Sequence, residues 1–131
     1  MLIISPAHNE ARLGGTLAFL DAGASAAKLR IYKGTRPADP QTAANPADLL
    51  VEITLTKPAG SVGGGLLSLT QAEDGLITAT GTATWARCIN GAGVVAFDAD
   101  CSDSAGAGDV KLPTTSLLAG GGCRLISAVL G

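Results

Sequence analysis

Residues 76–101, LITATGTATWARCINGAGVVAFDADC, decide the fold class of this 131-residue chain. Between Ile77 and Ile89 most of the apolar residues share one parity, at Ile77, Ala79, Ala83, Trp85 and Ile89. The other parity belongs to threonine, at Thr78, Thr80, Thr82 and Thr84. Successive side chains of a strand point to opposite faces, so the pattern predicts an antiparallel strand with one solvated face. Gly81 in its middle predicts a bulge or a bend. The turn sequence NGAG and a second alternating run, 94–101, complete a predicted β-hairpin.

Short apolar runs between clusters of Gly, Pro, Asn and Asp continue along the chain, as in all-β domains. The candidate strands number about eight, at residues 28–33, 49–57, 66–70, 76–89, 94–101, 110–112, 116–118 and 123–130. About eight short strands are enough for two packed sheets. We therefore expect an all-β fold, an antiparallel β-sandwich resembling a jelly roll. Residues 102–108, SDSAGAG, are low in complexity and predict a mobile loop.

The N-terminal region differs from the rest of the chain. Ser5 before Pro6 is typical of a helix start, because the serine caps the first turn and proline needs no amide partner there. Leucine then recurs at spacings of four and three residues, at Leu13, Leu17 and Leu20. This stripe predicts a helix that ends near Asp21. We expect residues 1–23 to form an arm or short helix and residues 24–131 to form the β-sandwich domain.

The composition argues against two classes of partner. Nine Lys and Arg residues against eleven Asp and Glu give a formal net charge of -2. This balance removes the general attraction to nucleic acid or to an anionic membrane surface. No apolar run reaches the ~20 residues of a membrane span, and no secretory signal is visible. We therefore expect a soluble protein that binds neither nucleic acid nor membrane.

The basic stretch RIYKGTRP, residues 30–37, contains the residue types of a phosphate-binding loop. Such a loop needs spaced glycines followed by Lys and by Ser or Thr ahead of a helix, so that backbone amides and the lysine surround the phosphates. Here the lysine precedes the glycine, and no helix is predicted to follow. The stretch instead predicts a strand that turns at Gly34 into a proline-bearing loop, with Lys33 and Arg36 as cations flanking the turn.

Residues suited to catalysis or metal binding are few and scattered. The single histidine, His8, lies in the predicted N-terminal helix. Three widely spaced cysteines predict small apolar residues on strands, at Cys88, Cys101 and Cys123. Asp98 and Asp100 share one strand face, and two further acids follow, Asp103 and Asp109. They leave a small calcium- or sugar-binding β-module as an alternative of a different class. We predict no catalytic residue, no metal site, no cofactor and no enzymatic activity.

Three segments carry a resemblance that covers most of the chain after residue 20. They are DAGASAAKLRIYKGTRPADPQTA (21–43), GTATWARCINGAG (81–93) and LPTTSLLAGGGCRLIS (112–127). In wording and order they resemble small proteins from the virion-structural gene block of tailed bacteriophages. The resemblance implies a β-sandwich or jelly-roll protein like the capsid cement (decoration) proteins, which bind as oligomers over the joints of the major capsid lattice.

The expected function is therefore that of a capsid cement protein that binds the major capsid protein and stabilises the head. The expected state is a homo-oligomer on the capsid surface of the virion, made in the host cytoplasm. A tail or head-tail connector protein is the alternative within the same class. Lys33, Arg36 and Pro37 are the predicted partner-binding residues, because two cations on a proline-pinned loop can meet acidic groups of a partner subunit.

Overall fold

The computed structural model describes all residues, 1–131, and shows a β-rich chain with one α-helix. In chain order the elements are α1 (Pro6–Leu20), β1 (Lys28–Tyr32), a short 3-10 helix (Pro46–Asp48), β2 (Leu49–Gly63), β3 (Leu66–Gln71), β4 (Gly75–Leu76), β5 (Gly81–Thr82), β6 (Trp85–Ile89), β7 (Val95–Asp103), β8 (Val110–Leu112), β9 (Ser116–Leu117), β10 (Gly122–Cys123) and β11 (Ser127–Leu130). No helix is long and apolar enough to cross a membrane. The β-rich character predicted from the sequence is confirmed.

Seven of the strands form a closed barrel, in the order β1-β2-β3-β11-β8-β7-β6. The prediction of a β-sandwich or jelly roll is therefore wrong. A sandwich has two separate sheets packed face to face, whereas β1 pairs along its length with both β2 and β6 and so helps to close one continuous sheet. Alternating sequence patterns fit either architecture, because each one buries a single face of every strand.

The barrel closes through its shortest member, β8. Its three residues pair in parallel with residues 101–103 of β7, and two of them also pair antiparallel with β11. Adjacent parallel strands usually need a crossover of a dozen or more residues, yet only residues 104–109 join β7 to β8. Gly108 allows this short link, because a Cβ at this position would lie 2.7 Å from backbone atoms of Cys101 and Ser102.

The N-terminal helix is confirmed and packs on the barrel. Ser5 caps it, and the Ser5 Oγ accepts a hydrogen bond from the His8 amide at 3.1 Å. Leu13 and Leu20 are buried in the main core, and Leu17 packs against that core. Because α1 contacts β2 and β3, its leucine stripe is covered by the barrel.

The predicted hairpin is present as β6 and β7, which pair antiparallel across residues 90–94. The single strand predicted over residues 76–89 is wrong, because only β4, β5 and β6 are regular within it. Its parity nevertheless holds, with the threonines exposed and Ile77 and Ala83 buried. Gly81 accounts for the break: a Cβ there would lie 3.0 Å from Leu50 Cδ2, so the chain crosses close over β2.

The core is built from small aliphatic residues, as the aromatic content of 3% predicts. Twenty-three buried residues form one cluster, and its members on β1 and β2 include the fully buried Leu29, Ile31 and Ile53. Side chains of this size fill the interior of a small barrel. Trp85 is buried, but it stands apart from this cluster.

Candidate assembly interface

Charged side chains line up across the outer face of four neighbouring strands. In register they are Glu52 on β2, Arg30 on β1, Arg87 on β6 and Asp98 on β7. The Arg30 Nε lies 2.7 Å from Glu52 Oε2. Arg87 donates to both carboxylate oxygens of Asp98, from Nε at 2.7 Å and from Nη2 at 2.9 Å. The two arginines are cross-strand neighbours, and each has its own carboxylate, so their repulsion is offset.

The two ion pairs of this row differ in their exposure to water. The Arg87 and Asp98 side chains are 6% and 2% exposed, whereas those of Arg30 and Glu52 are 38% and 33% exposed. The hydrogen bond with Asp98 raises the pKa of Arg87. Burial alone would raise the pKa of Glu52, but the hydrogen bond from Arg30 and the charges of Lys28 and Arg30 lower it. Arg30, Glu52 and Arg87 therefore stay charged at neutral pH, and both pairs act as fixed parts of the wall.

An aromatic stack adjoins this row on the same face. The rings of Tyr32 and Trp85 stack with their centroids 4.5 Å apart, and the Arg87 guanidinium carbon lies 5.4 Å from the Trp85 ring centroid. The indole Nε1 is buried without a hydrogen-bond partner. An unsatisfied buried donor lowers the stability of a fold by about 1–3 kcal/mol. Ring stacking and cation–π attraction therefore hold the tryptophan in place.

The three predicted partner-binding residues lie where the chain leaves β1. Lys33 is exposed and forms no ion pair, and its amide donates to the Asp48 carbonyl at 3.0 Å. Arg36 is already engaged, because its Nε lies 3.1 Å from Asp100 Oδ1 on β7. Pro37 is half-buried. Lys33 is thus the cation free to meet a partner, while Arg36 ties the loop to the barrel.

The acids considered for calcium binding do not form one site. Asp98 and Asp100 each pair with an arginine. Asp103 accepts hydrogen bonds from backbone amides of its own turn, and Asp109 is exposed. No group of three His, Cys, Asp or Glu side chains stands close enough together to hold a metal ion. Pairing with the buried Arg87 takes the Asp98 carboxylate out of water.

The cysteines are free thiols in apolar surroundings. Cys88 and Cys123 are buried, as predicted, and Cys101 is half-buried. Burial raises the pKa of Cys88 and of Cys101 to about 12, and it also raises the pKa of Cys123. These thiols stay protonated at neutral pH, and a protonated thiol is a poor nucleophile.

Stability is expected to fall in alkaline solution because of Cys88. The unfolded chain releases the Cys88 proton near pH 9.0, whereas the folded chain holds it until about 12. In this window the unfolded state binds fewer protons, so the free energy of unfolding decreases with pH by up to about 1.4 kcal/mol per pH unit for this thiol. Urea unfolding across the window should therefore show a shallower decline in Cys88→Ala than in the wild type. Below pH 9.0 the free energies of unfolding of the two proteins should change in parallel with pH. Equal slopes between pH 9.0 and about 12 would show that burial does not raise the pKa of Cys88.

One stretch of the barrel wall is open beside β8. Residues 95–100 of β7 pair with β6 on one side, but β8 pairs with β7 only from Cys101 onward. Across the opening, β11 leaves β8 after Ala128. We call this opening the seam. It is a groove of about 240 Å³ with walls that include Phe97, Asp98, Ala99, Ala128, Val129 and Leu130.

The helix extends the apolar surface of the seam. A second recess adjoins the first, and the two share Phe97 and Leu130. Its helical wall contains Thr16 and Phe19, and Phe19 is 41% exposed. An aromatic ring on the solvent side of a helix is thus next to an unpaired strand edge.

The chain also has an unpartnered apolar segment, residues 1–4, Met-Leu-Ile-Ile, which we call the apolar arm. Met1, Leu2 and Ile3 are 111%, 89% and 78% exposed, and the arm has no regular secondary structure. It enters the helix at Ser5, beside the turn between β2 and β3. Contiguous exposed apolar groups of this kind are typical of interaction sites.

The seam was not predicted from the sequence, and the N-terminal arm was predicted without its role as an exposed apolar surface. The seam depends on the length and register of β8, and three residues carry no periodicity that could reveal either. The arm had a visible signal, four apolar residues directly before the capping Ser5.

Comparison of the chain with protein-family models, with curated proteins and with solved structures found no match. The residues of the chain therefore carry the argument for its function.

Proposed function

We propose that this protein is a capsid cement protein of a tailed bacteriophage, a non-enzymatic subunit that binds the assembled lattice of the major capsid protein. The observation that carries the proposal is that one small barrel leaves two surfaces incomplete, the seam and the apolar arm. Folded domains normally cover unpaired strand edges and contiguous apolar groups. Assembly with other subunits would cover both.

The resemblance of three segments to phage virion proteins supports the same function. Those segments include β1 with the loop that follows it, the β6 strand with its turn, and the stretch from the end of β8 to the start of β11. They contribute strands and surface loops. A subunit that binds the assembled lattice and not free capsid protein adds its binding free energy to the assembled state alone. Attachment of an oligomer at several points multiplies modest individual contacts.

Reversing the charge of Lys33 is expected to weaken binding to capsid shells. The Lys33 side chain is exposed and has no ion pair within the chain, so a partner's carboxylate is its natural counterpart. Placing like charges together costs several kcal/mol, and about 1.4 kcal/mol already corresponds to tenfold in affinity. Co-sedimentation of Lys33→Glu with capsid shells should therefore give at least a roughly tenfold higher Kd than the wild type.

Arg124→Glu is the matched control for this experiment. Arg124 is also exposed and unpaired, and the change in net charge is the same. Its affinity should stay within about twofold of the wild type, because a general charge effect on diffusional encounter is small at physiological salt. Equal losses in the two variants would show that the loop after β1 is not a contact. If the wild-type protein does not pellet with capsid shells at all, the proposed function is wrong.

A further inference from the structure

We propose that the apolar arm of one copy inserts into the seam of a second copy as an additional β-strand, so that copies of this chain are joined by exchange of their arms. This inference rests on the proposed function, in that both treat the protein as a subunit of an assembly. It names the partner of the seam as another copy of the same chain and the mode of recognition as β-strand addition.

Backbone geometry shows what the seam lacks. The Cys101 amide donates to the Thr84 carbonyl on the β6 side. In an antiparallel ladder alternate residues direct their hydrogen-bonding groups to opposite sides. Asp98 therefore directs its amide and carbonyl away from β6, toward the seam, on the Cys101 side of the register shift between β6 and β7. An added strand would pair these groups, which β8 is too short to reach.

The arm is long enough to pair with most of the seam. The part of β7 that lacks a strand partner on its seam side is six residues, 95–100. It corresponds to about 20 Å of extended chain at 3.3 Å per residue. The arm, residues 1–4, precedes the capping Ser5 and extends over about 13 Å at the same rise. The arm can therefore pair along most of the open edge without any change in the helix.

Side-chain chemistry favours the same match. Positions of the seam that face the barrel interior are apolar, among them Phe97, Ala99 and Leu130. A strand in the seam would place alternate side chains on them, and any two alternate residues of Met-Leu-Ile-Ile are apolar. The exposed Phe19 at the edge of the seam would then be covered as well.

A second copy suits the seam better than the arm of the same copy. Phe19, which adjoins the seam, is thirteen residues from the first residue of α1, Pro6, a distance of about 20 Å along the helix axis. To enter its own seam, the arm would have to reverse direction at Ser5. Ser5 is instead extended, with φ -70 and ψ 158, and its side chain caps the helix. The arm of a neighbouring molecule needs no such reversal.

The test is the oligomeric state of the purified protein in the absence of capsids, measured by size-exclusion chromatography with light scattering. The wild type is expected to form a discrete oligomer, and Leu2→Asp/Ile3→Asp is expected to be monomeric. Leu76→Asp/Leu118→Asp is the matched control, because these two leucines are also largely exposed, at 64% and 65%, but do not line the seam. It should keep the wild-type size.

Hydrogen exchange on the same samples locates the contact. Amides of residues 95–100 and 128–131 should be protected in the wild-type oligomer and should exchange at least tenfold faster in Leu2→Asp/Ile3→Asp. A monomeric wild type overturns the inference, whether its seam is exposed or is protected by its own arm. An arm variant that keeps its oligomeric size overturns it too. Capsid co-sedimentation is scored separately, so monomers that still pellet with capsids would refute arm exchange and leave the proposed function standing.

Discussion

Replacing Asp98 with alanine is expected to lower the free energy of unfolding by about 3–5 kcal/mol. The cost comes from the partner left behind, because the Arg87 side chain is 6% exposed and would keep its charge inside the wall without a carboxylate. The guanidinium of Arg87 cannot become neutral, because arginine does not lose its proton in proteins. Urea-induced unfolding at neutral pH measures the loss as a lower midpoint at unchanged slope.

Asp100→Ala is the matched control for this variant, two residues further along β7. Asp100 pairs with Arg36, but their side chains are 64% and 46% exposed, and exposed pairs contribute about 0–1 kcal/mol. A loss below about 1 kcal/mol is therefore expected. If the two alanine variants lost equal stability, burial would not be what gives the Arg87–Asp98 pair its importance.

A double variant separates charge from packing. Arg87→Met/Asp98→Leu leaves no charge in the wall and keeps apolar volume at both positions, so it should recover most of the stability lost in Asp98→Ala. If it is as unstable as the single variant, the shape of the pair and not its charge explains the loss.

The position of Asp98 also links stability to the proposed assembly surface. Asp98 lies in the part of β7 that has a strand neighbour only on the β6 side, and its carboxylate is bound to Arg87 on that neighbour. Breaking the pair loosens one wall of the seam. Oligomerisation would therefore fail in Asp98→Ala for a trivial reason, which is why arm exchange is tested by substitutions in the exposed arm.

Local structure was predictable from the sequence because its determinants lie within a few residues of one another. The Ser5 cap and the leucine stripe predicted a helix ending near Asp21, and the helix ends at Leu20. Gly34 takes the positive φ, 84, that its predicted turn requires. The pairing of β6 with β7 follows from two alternating runs on either side of a glycine-bearing turn.

Closure of the barrel was not predictable, because it joins residues that are far apart in the chain. Lys28 of β1 lies opposite Ile89 of β6, and no pattern within either strand encodes that pairing. The burial of Asp98 was hidden for the same reason. Its parity correctly indicates the outer face, but only the register that sets Arg87 beside it reveals that the face is covered there.

Gly108→Val is expected to destabilise the fold by about 3 kcal/mol, because it fills the space in which the chain turns from β7 into β8. Gly108 is buried, and a Cβ would stand 2.7 Å from the Cys101 carbonyl carbon and 2.8 Å from the Asp100 carbonyl oxygen. Both atoms belong to the backbone of β7, which cannot turn aside as a side chain can. The strain falls on the three-residue strand that closes the barrel. Urea unfolding measures the loss, and amides of β8 and β11 should exchange faster under native conditions.

Ala107→Val introduces the same side chain one position earlier, where the residue is exposed, and should change stability by less than about 0.5 kcal/mol. Equal losses of stability in the two valine variants would mean that the whole loop is mobile enough to accommodate either side chain, as its low-complexity sequence predicts. Its contacts argue against that outcome. Ser102 Oγ accepts the Gly108 amide at 3.0 Å, and the Lys111 Nζ donates to the Gly106 carbonyl. The loop is therefore tied to both strands that it joins, and a valine at Gly108 should open the barrel next to the seam.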